Sequence, residues 1–265
     1  ALALADGKTK WKVTVPGELL GNILVHNSMA VLRSSDARLF ALDAATGARL
    51  WTLQRPLPSL VLRADSGISA SGDLIFASFP GGRLLAIAGK TGTVRYDAAV
   101  ALPKGTTELE RVADVVGTPV LEGPDVCVSA YQGRIGCLNA QTGTPVWGRD
   151  FSAPVGSTAD ARFVFGVDES SVLQAFVRSN GVSQWSNDKL KYRGLSSPVS
   201  FGRAVVVGDY KGILHFLSRE DGNFLARFST DGSEVRATPR LADALKPESL
   251  LVQTSGGGIY LIGLE

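Results

Sequence analysis

No stretch of this chain stays apolar for the roughly 18 residues that a membrane-spanning helix needs. The longest apolar pieces are short, such as "AVVVG" and "SLLVQ". Cysteine is nearly absent: Cys127 and Cys137 alone exclude a disulfide scaffold and any zinc cluster built on CxxC pairs. An excess of one charge is missing too, since 27 basic and 25 acidic residues leave a formal +2. That balance gives no electrostatic ground for a nucleic-acid partner. The two histidines, His26 in "ILVHNS" and His215 in "ILHFLS", have no acid or cysteine at ligand spacing, so strand packing is expected for both. The start, "ALALADGKTKW", lacks an initiator Met, a basic region and an apolar signal core, and reads as the middle of a strand. The natural beginning, with any targeting signal, is therefore expected upstream.

What is present is a repeat. The segments "LALADGKTKW", "FALDAATGARLW", "LAIAGKTGTVRY", "CLNAQTGTPVW", "AFVRSNGVSQW" and "FLSREDGNFLA" follow one another along the chain. Each has a turn glycine with an aromatic four residues later: Gly7/Trp11, Gly47/Trp51, Gly92/Tyr96, Gly143/Trp147 and Gly181/Trp185, with Gly222/Ala226 the exception. Around each pair lie four short strands separated by Gly, Pro and Asx turn signals, as in "TPVLE", "DVCVSAY", "RIGCLNA" and "PVWGRDF". No segment shows a sustained helical period. A repeated four-stranded antiparallel unit predicts an all-β fold, a β-propeller, with residues 1–265 as a single domain of five complete and two partial blades. The glycine supplies positive φ in the turn between third and fourth strands, and the aromatic caps the outer strand against an adjoining turn.

The units vary in length. The longest two are consecutive, and their additional residues fall in the links from Trp51 to Ser69 and from Tyr96 to Thr118. In a propeller such links share one rim with the turns between second and third strands, so two extended loops are expected side by side. Long loops on a rigid scaffold are frequently functional.

The "ALDaxTGxxxW" pattern resembles the tryptophan-docked repeats of quinoprotein-like propellers. Within that group the whole chain resembles the BamB family, lipoproteins of the outer-membrane β-barrel assembly machinery. The segments "LPSLVLRADSGIS" (57–69) and "TTELERVADVVGTPV" (106–120) carry the resemblance. It implies an eight-bladed, non-enzymatic propeller without cofactor, with about one and a half blades and a lipidated cysteine upstream. Its implied place is the periplasm, attached to the inner leaflet of the outer membrane. The implied partner is a periplasmic POTRA domain of BamA, with unfolded outer-membrane proteins as further candidate clients. The family's Leu-x-Leu-Arg binding motif falls on Leu60, Leu62 and Arg63. Its acidic pair falls on Asp114 and on Val116, where the second acid is lost; Glu108, Glu110 and Arg111 stand nearby. Two exposed leucines with a charged rim have the anatomy of an interface hot spot. On spacing alone a second reading stays open: Leu60 and Leu62 as the core face of an inner strand, with Arg63 and Asp114 paired internally.

Other chemistry is thin. A quinone-dependent dehydrogenase, the enzyme alternative, needs a calcium site, a catalytic aspartate and often vicinal cysteines. Here the cysteines are ten apart, and Asp168 and Asp209 sit in "GVDESS" and "GDYKG", at turns where Asp bonds its own backbone. "GKTGT" (89–93) lacks the first glycine of a phosphate loop, and "GISASG" (67–72) misses the nucleophile-elbow spacing by one. A third reading is a generic propeller adaptor that pairs a peptide strand with a blade edge. Lys8, Lys10 and Lys12 on one predicted strand, and Lys189, Lys191 and Arg193 in a link, read as solvated faces. Cys127 and Cys137 lie opposite each other in "VCVSAYQGRIGC" if Gly133 takes the bulge position. Two buried thiols are favoured over a bridge, because cross-strand geometry is often poor for one.

Overall fold

The apolar second and third strands of each unit are expected to bury both faces, and the fold does so. The computed structural model describes residues 1–62, 66–242 and 249–263. Among them are five four-stranded antiparallel sheets and one of three strands. The first blade is built from Leu24–His26, Met29–Arg33, Arg38–Asp43 and Arg49–Gln54. The second has Ile68–Ser71, Leu74–Phe79, Arg83–Ala88 and Val94–Ala99, and the third has Val115–Glu122, Asp125–Ala130, Gly133–Asn139 and Pro145–Phe151. Two more complete blades follow, from Thr158–Ala159 to Ser183–Asn187 and from Val199–Phe201 to Phe224–Ser229. The sixth sheet holds Arg240–Leu241, Ser249–Gln253 and Ile259–Gly263.

The second strands Met29–Arg33, Asp125–Ala130, Phe163–Val167 and Ala204–Gly208 are buried at every position. That is the pattern of a strand covered on both faces, here by the neighbouring blades. Core clusters accordingly span blade junctions, as where Phe76 and Leu84 of the second blade pack with Val126 and Val128 of the third. The inner strands meet closely. A Cβ on Gly117 would stand 2.3 Å from the Gly156 Cα, so the approach of the third and fourth blades requires a bare backbone there.

Each aromatic docks on the following blade. Trp51 Nε1 donates to the Gly89 carbonyl (2.6 Å), Trp147 Nε1 to Arg178 (2.5 Å) and Trp185 Nε1 to Arg219 (2.8 Å). Trp11 reaches Ala44 (3.1 Å), and the Tyr96 hydroxyl donates to Ala140 (3.1 Å). Burial pushes the Tyr96 phenol up to about 12, so it stays a protonated donor. The turn glycines all have positive φ, and a second constraint holds them. A Cβ on Gly47, Gly92, Gly143, Gly181 or Gly222 would lie 2.3 to 2.8 Å from the docked ring of the preceding blade. Next to Trp51, Tyr96, Trp147 and Trp185 the ladder slips by one residue, for example between Ala41 and Leu42 opposite Trp51 and Arg49, and the same slip is kept opposite Ala226. This bulge turns the ring out of the strand and onto the next blade. Where Ala226 replaces the aromatic, the junction packs through a buried cluster that includes Phe216, Leu250 and Val252, and Phe228 lies edge-on against Tyr260 with centroids 6.0 Å apart.

Five expectations need correction. Cys127 and Cys137 do face each other, but as a disulfide: they are register partners across the hairpin, with Cα atoms 4.0 Å apart. Positive φ in that hairpin falls on Gln132 rather than Gly133. The opening residues form only an isolated bridge, Leu2 to Thr9, rather than two strands, consistent with the marginal stability of a lone hairpin. Arg193 is no solvated residue: it pairs with the fully buried Asp209 (Nη2 to Oδ2, 2.5 Å). His215 does have an acid beside it, because the hairpin brings Asp209 Oδ2 to 2.9 Å from its Nε2. Burial holds the His215 imidazole below its ordinary pKa against the attraction of Asp209, so it is neutral at pH 7. As expected, Asp168 and Asp209 each bond their own turn, Asp168 Oδ1 accepting from the Ser170 and Val172 amides and Asp209 Oδ1 from Lys211 and Ile213.

Candidate functional site

The long links lie together on the rim that carries the turns between second and third strands. Residues 55–62 are outside any strand, and the inner strand of the second blade begins at Ile68, so Leu60 and Leu62 are not an inner strand's core face. Their positions are set by Asp114. This carboxylate is 4 % exposed; Oδ2 accepts the Leu62 amide (2.6 Å) and Oδ1 accepts the Gly81 amide (2.9 Å). One side chain thereby joins the first link, the second link and the second blade's turn. The Asp114 carbonyl in turn accepts the Tyr131 amide (2.9 Å), which adds the third blade's turn.

The buried Arg33 guanidinium stacks 5.0 Å over the Phe79 ring. Burial pushes it down to about 10, opposed by the attraction of Asp114. It remains a cation at pH 7. Further out, Arg55 and Arg83 share Asp97, at 2.5 and 2.7 Å, fixing the entrance of the first link to the second blade.

The second link is organised by its own acids. Glu110 Oε2 accepts the amides of Thr106 (2.8 Å) and Thr107 (3.0 Å), closing a turn over 106–111. These backbone hydrogen bonds hold the exposed Glu110 carboxyl below its ordinary pKa. With its amide nitrogen toward this link, Gln132 donates to the carbonyls of Glu110 (3.0 Å) and Val112 (3.1 Å). Ser59 donates to Glu108 across the gap between the links.

Leu60 is 42 % exposed, whereas Leu62 is half-buried against a cluster containing Val116, Ile135 and Phe151. Val116 is buried and lines, with Leu62 and Tyr131, a cavity of about 680 Å³ between the inner strands. Arg111 is exposed, and Arg63 lies outside the described residues. Three leucines that the motif did not single out share the links' exposure: Leu57, Leu102 and Leu109. Among the described residues no group of three His, Cys, Asp or Glu is placed to hold a metal ion.

The family model for the outer-membrane protein assembly factor BamB matches residues 1–187. The chain belongs to the BamB family. Over 256 residues it is 43 % identical to the BamB of Burkholderia pseudomallei, covering 96 % of this chain and 66 % of that protein. Over 262 residues it is 31 % identical to the BamB of Escherichia coli, covering 99 % and 66 %. The chain thus spans just under two thirds of the length of these relatives. The fold is that of the crystal structure of BamB from Moraxella catarrhalis, with a TM-score of 0.89, 24 % identity, and coverage of 99 % of this chain and 78 % of that one. A europium-containing methanol dehydrogenase shares the fold more distantly, with a TM-score of 0.64 at 16 % identity over 80 % of this chain and 52 % of that one. BamB membership separates this chain from the enzymes that share its repeat: the family is one of assembly factors.

Proposed function

We propose that this chain is a single propeller domain, residues 1–265, of a periplasmic factor that docks on a POTRA domain of BamA. The links at 57–69 and 106–118 make the contact. The whole protein is held at the inner leaflet of the outer membrane by a lipid anchor, and it aids the folding and insertion of outer-membrane proteins, unfolded clients included. The observation that supports this most is the Asp114 clasp: one buried carboxylate holds two separate long links together while leaving Leu60 in solvent. Loops meant only to connect blades need no such common anchor.

Leu60, Leu62, Arg63 and Arg111 would meet the partner directly, whereas Asp114 and Glu110 would act by fixing the links. The test is binding of the BamA periplasmic domains to the unmodified protein, to the Leu60→Ala/Leu62→Ala variant and to Arg63→Ala. Hot-spot leucines should cost at least about 2 kcal/mol, roughly thirtyfold in affinity. Undiminished binding by folded variants would remove the assignment.

A further inference from the structure

The five complete blades can be compared at one position, the third-strand residue opposite the docking aromatic. In the first, second and fourth blades it is small: Ala41, Ala86 or Ala175, facing Trp51, Tyr96 or Trp185. Its register partner on the second strand is larger: Val31, Phe76 or Phe165. In the fifth blade, where the aromatic is lost, the pair is Phe216 and Val206. The third blade puts sulfur there, with Cys137 opposite Trp147 and Cys127 as its partner. Apolar packing fills this position in the other blades, so the architecture does not require a covalent bond.

Both cysteines are completely buried, in one cluster with Ile135 and Phe151 of their own blade and Val164 and Phe176 of the fourth. A disulfide forms by attack of a thiolate on a disulfide sulfur, so the oxidant must touch one Sγ. Neither sulfur is reachable in the packed blade. The hairpin alone already brings them together: the residues are 10 apart in sequence and register partners, so the bridge needs no other blade. The same burial shields the finished bridge from reductants.

We propose that Cys127 and Cys137 are an oxidation site, used once, on the open chain, by a disulfide-bearing oxidant before the third and fourth blades pack together. The Sγ thiolate of one cysteine attacks the oxidant's disulfide, whose S–S bond breaks to give a mixed disulfide and one free thiol. The second Sγ thiolate then attacks the chain's own sulfur in that mixed disulfide. The intramolecular bond forms, the remaining oxidant sulfur leaves as a thiol, and two electrons and the two cysteine protons end on the oxidant. Nothing in this step depends on the docking of the long links. It ties assembly of the fold to an oxidising compartment, where such a bridge forms and persists.

The full chain, reduced in denaturant, is refolded with oxidised glutathione added either at the start or after refolding, and free thiols are counted by alkylation and intact mass. Oxidant present from the start should leave none. Oxidant added to the refolded dithiol chain should act at least about a hundredfold more slowly, because it must wait for the blade to open. A reduced chain that refolds only once oxidised equally puts oxidation first. The bridged chain should show the same contrast in reverse, dithiothreitol cutting it quickly in denaturant and slowly in the native state. Cys127→Val/Cys137→Ala, which installs the first blade's pair, should refold equally well with and without oxidant. An oxidant dependence that survives in this variant would not belong to these sulfurs and overturns the proposal. Equal rates in folded and denatured chains overturn the order of events and make the pair a reversible switch. Free thiols in protein folded in an oxidising compartment, or bridges between two chains instead of within one, overturn the site itself.

Discussion

The two ends of the blades treat large apolar side chains in opposite ways. Where third strands turn into fourth, Trp51 and Trp185 are buried and their indole nitrogens bonded to the next blade. Where the long links run, the Asp114 carboxylate is buried and bonded inside while four leucines stand in solvent. Burial with every polar atom satisfied is what stability selects, and it recurs along the chain. The two consecutive long links invert this allocation, burying Asp114 and exposing Leu57, Leu60, Leu102 and Leu109.

The comparison can be broken first at the docks. Trp51→Ala removes a buried ring and the donor to Gly89, and should cost about 3–5 kcal/mol, read as a lowered denaturation midpoint. Affinity for the BamA periplasmic domains, per folded molecule, should be unchanged. A selective loss of affinity without loss of stability would show that dock and rim are not separate devices. Gly181→Ala attacks the same junction type from the other side. It forces a Cβ into positive φ and to within 2.3 Å of the Trp147 ring, for about 2–4 kcal/mol. A merely conformational glycine would cost only about 1 kcal/mol.

At the rim the effects should be smaller for stability and larger for binding. Asp114→Asn leaves one carbonyl oxygen for two amide donors and puts an NH₂ beside one of them. The loss is about 1–3 kcal/mol for an unsatisfied buried group. Faster amide exchange at Leu62 and Gly81, with weaker binding, is the expected pattern. If exchange rises while affinity holds, the clasp is structural and the links bind without it.

How much of this the sequence carried depends on the range of the interaction. The turn glycine, its aromatic and the strand count are local patterns, so the five complete blades could be counted in advance. The second constraint on the glycines, contact with the preceding blade's ring, acts between repeats and has no local signature. The resemblance puts Asp114 at the partner contact, with an internal pairing to Arg63 left open, and its setting between the apolar residues of "VADVV" is the local sign of an inward carboxylate. His215 and Asp209 are six apart, and only the hairpin register brings them together. Leu102 and Leu109 show no alternation to mark a face, so their exposure emerges only once the links are placed.

The weakest expected effect separates the two links from each other. Glu110 has its folded pKa below the ordinary value, so its contribution to order in the 106–111 turn is present above about pH 4.5 and is lost as pH falls through the lowered value. The first link depends on Asp114 instead. Amide exchange or nuclear magnetic resonance through an acid titration should show Thr106 and Thr107 loosening below pH 4.5, before global unfolding, and Glu110→Gln should abolish that step. In the same titration the Leu62 amide, bonded to Asp114 rather than to Glu110, should be unaffected by Glu110→Gln. Simultaneous loosening of both links would mean that they form one cooperative unit, held by Asp114 and the Ser59–Glu108 contact together rather than by separate carboxylates.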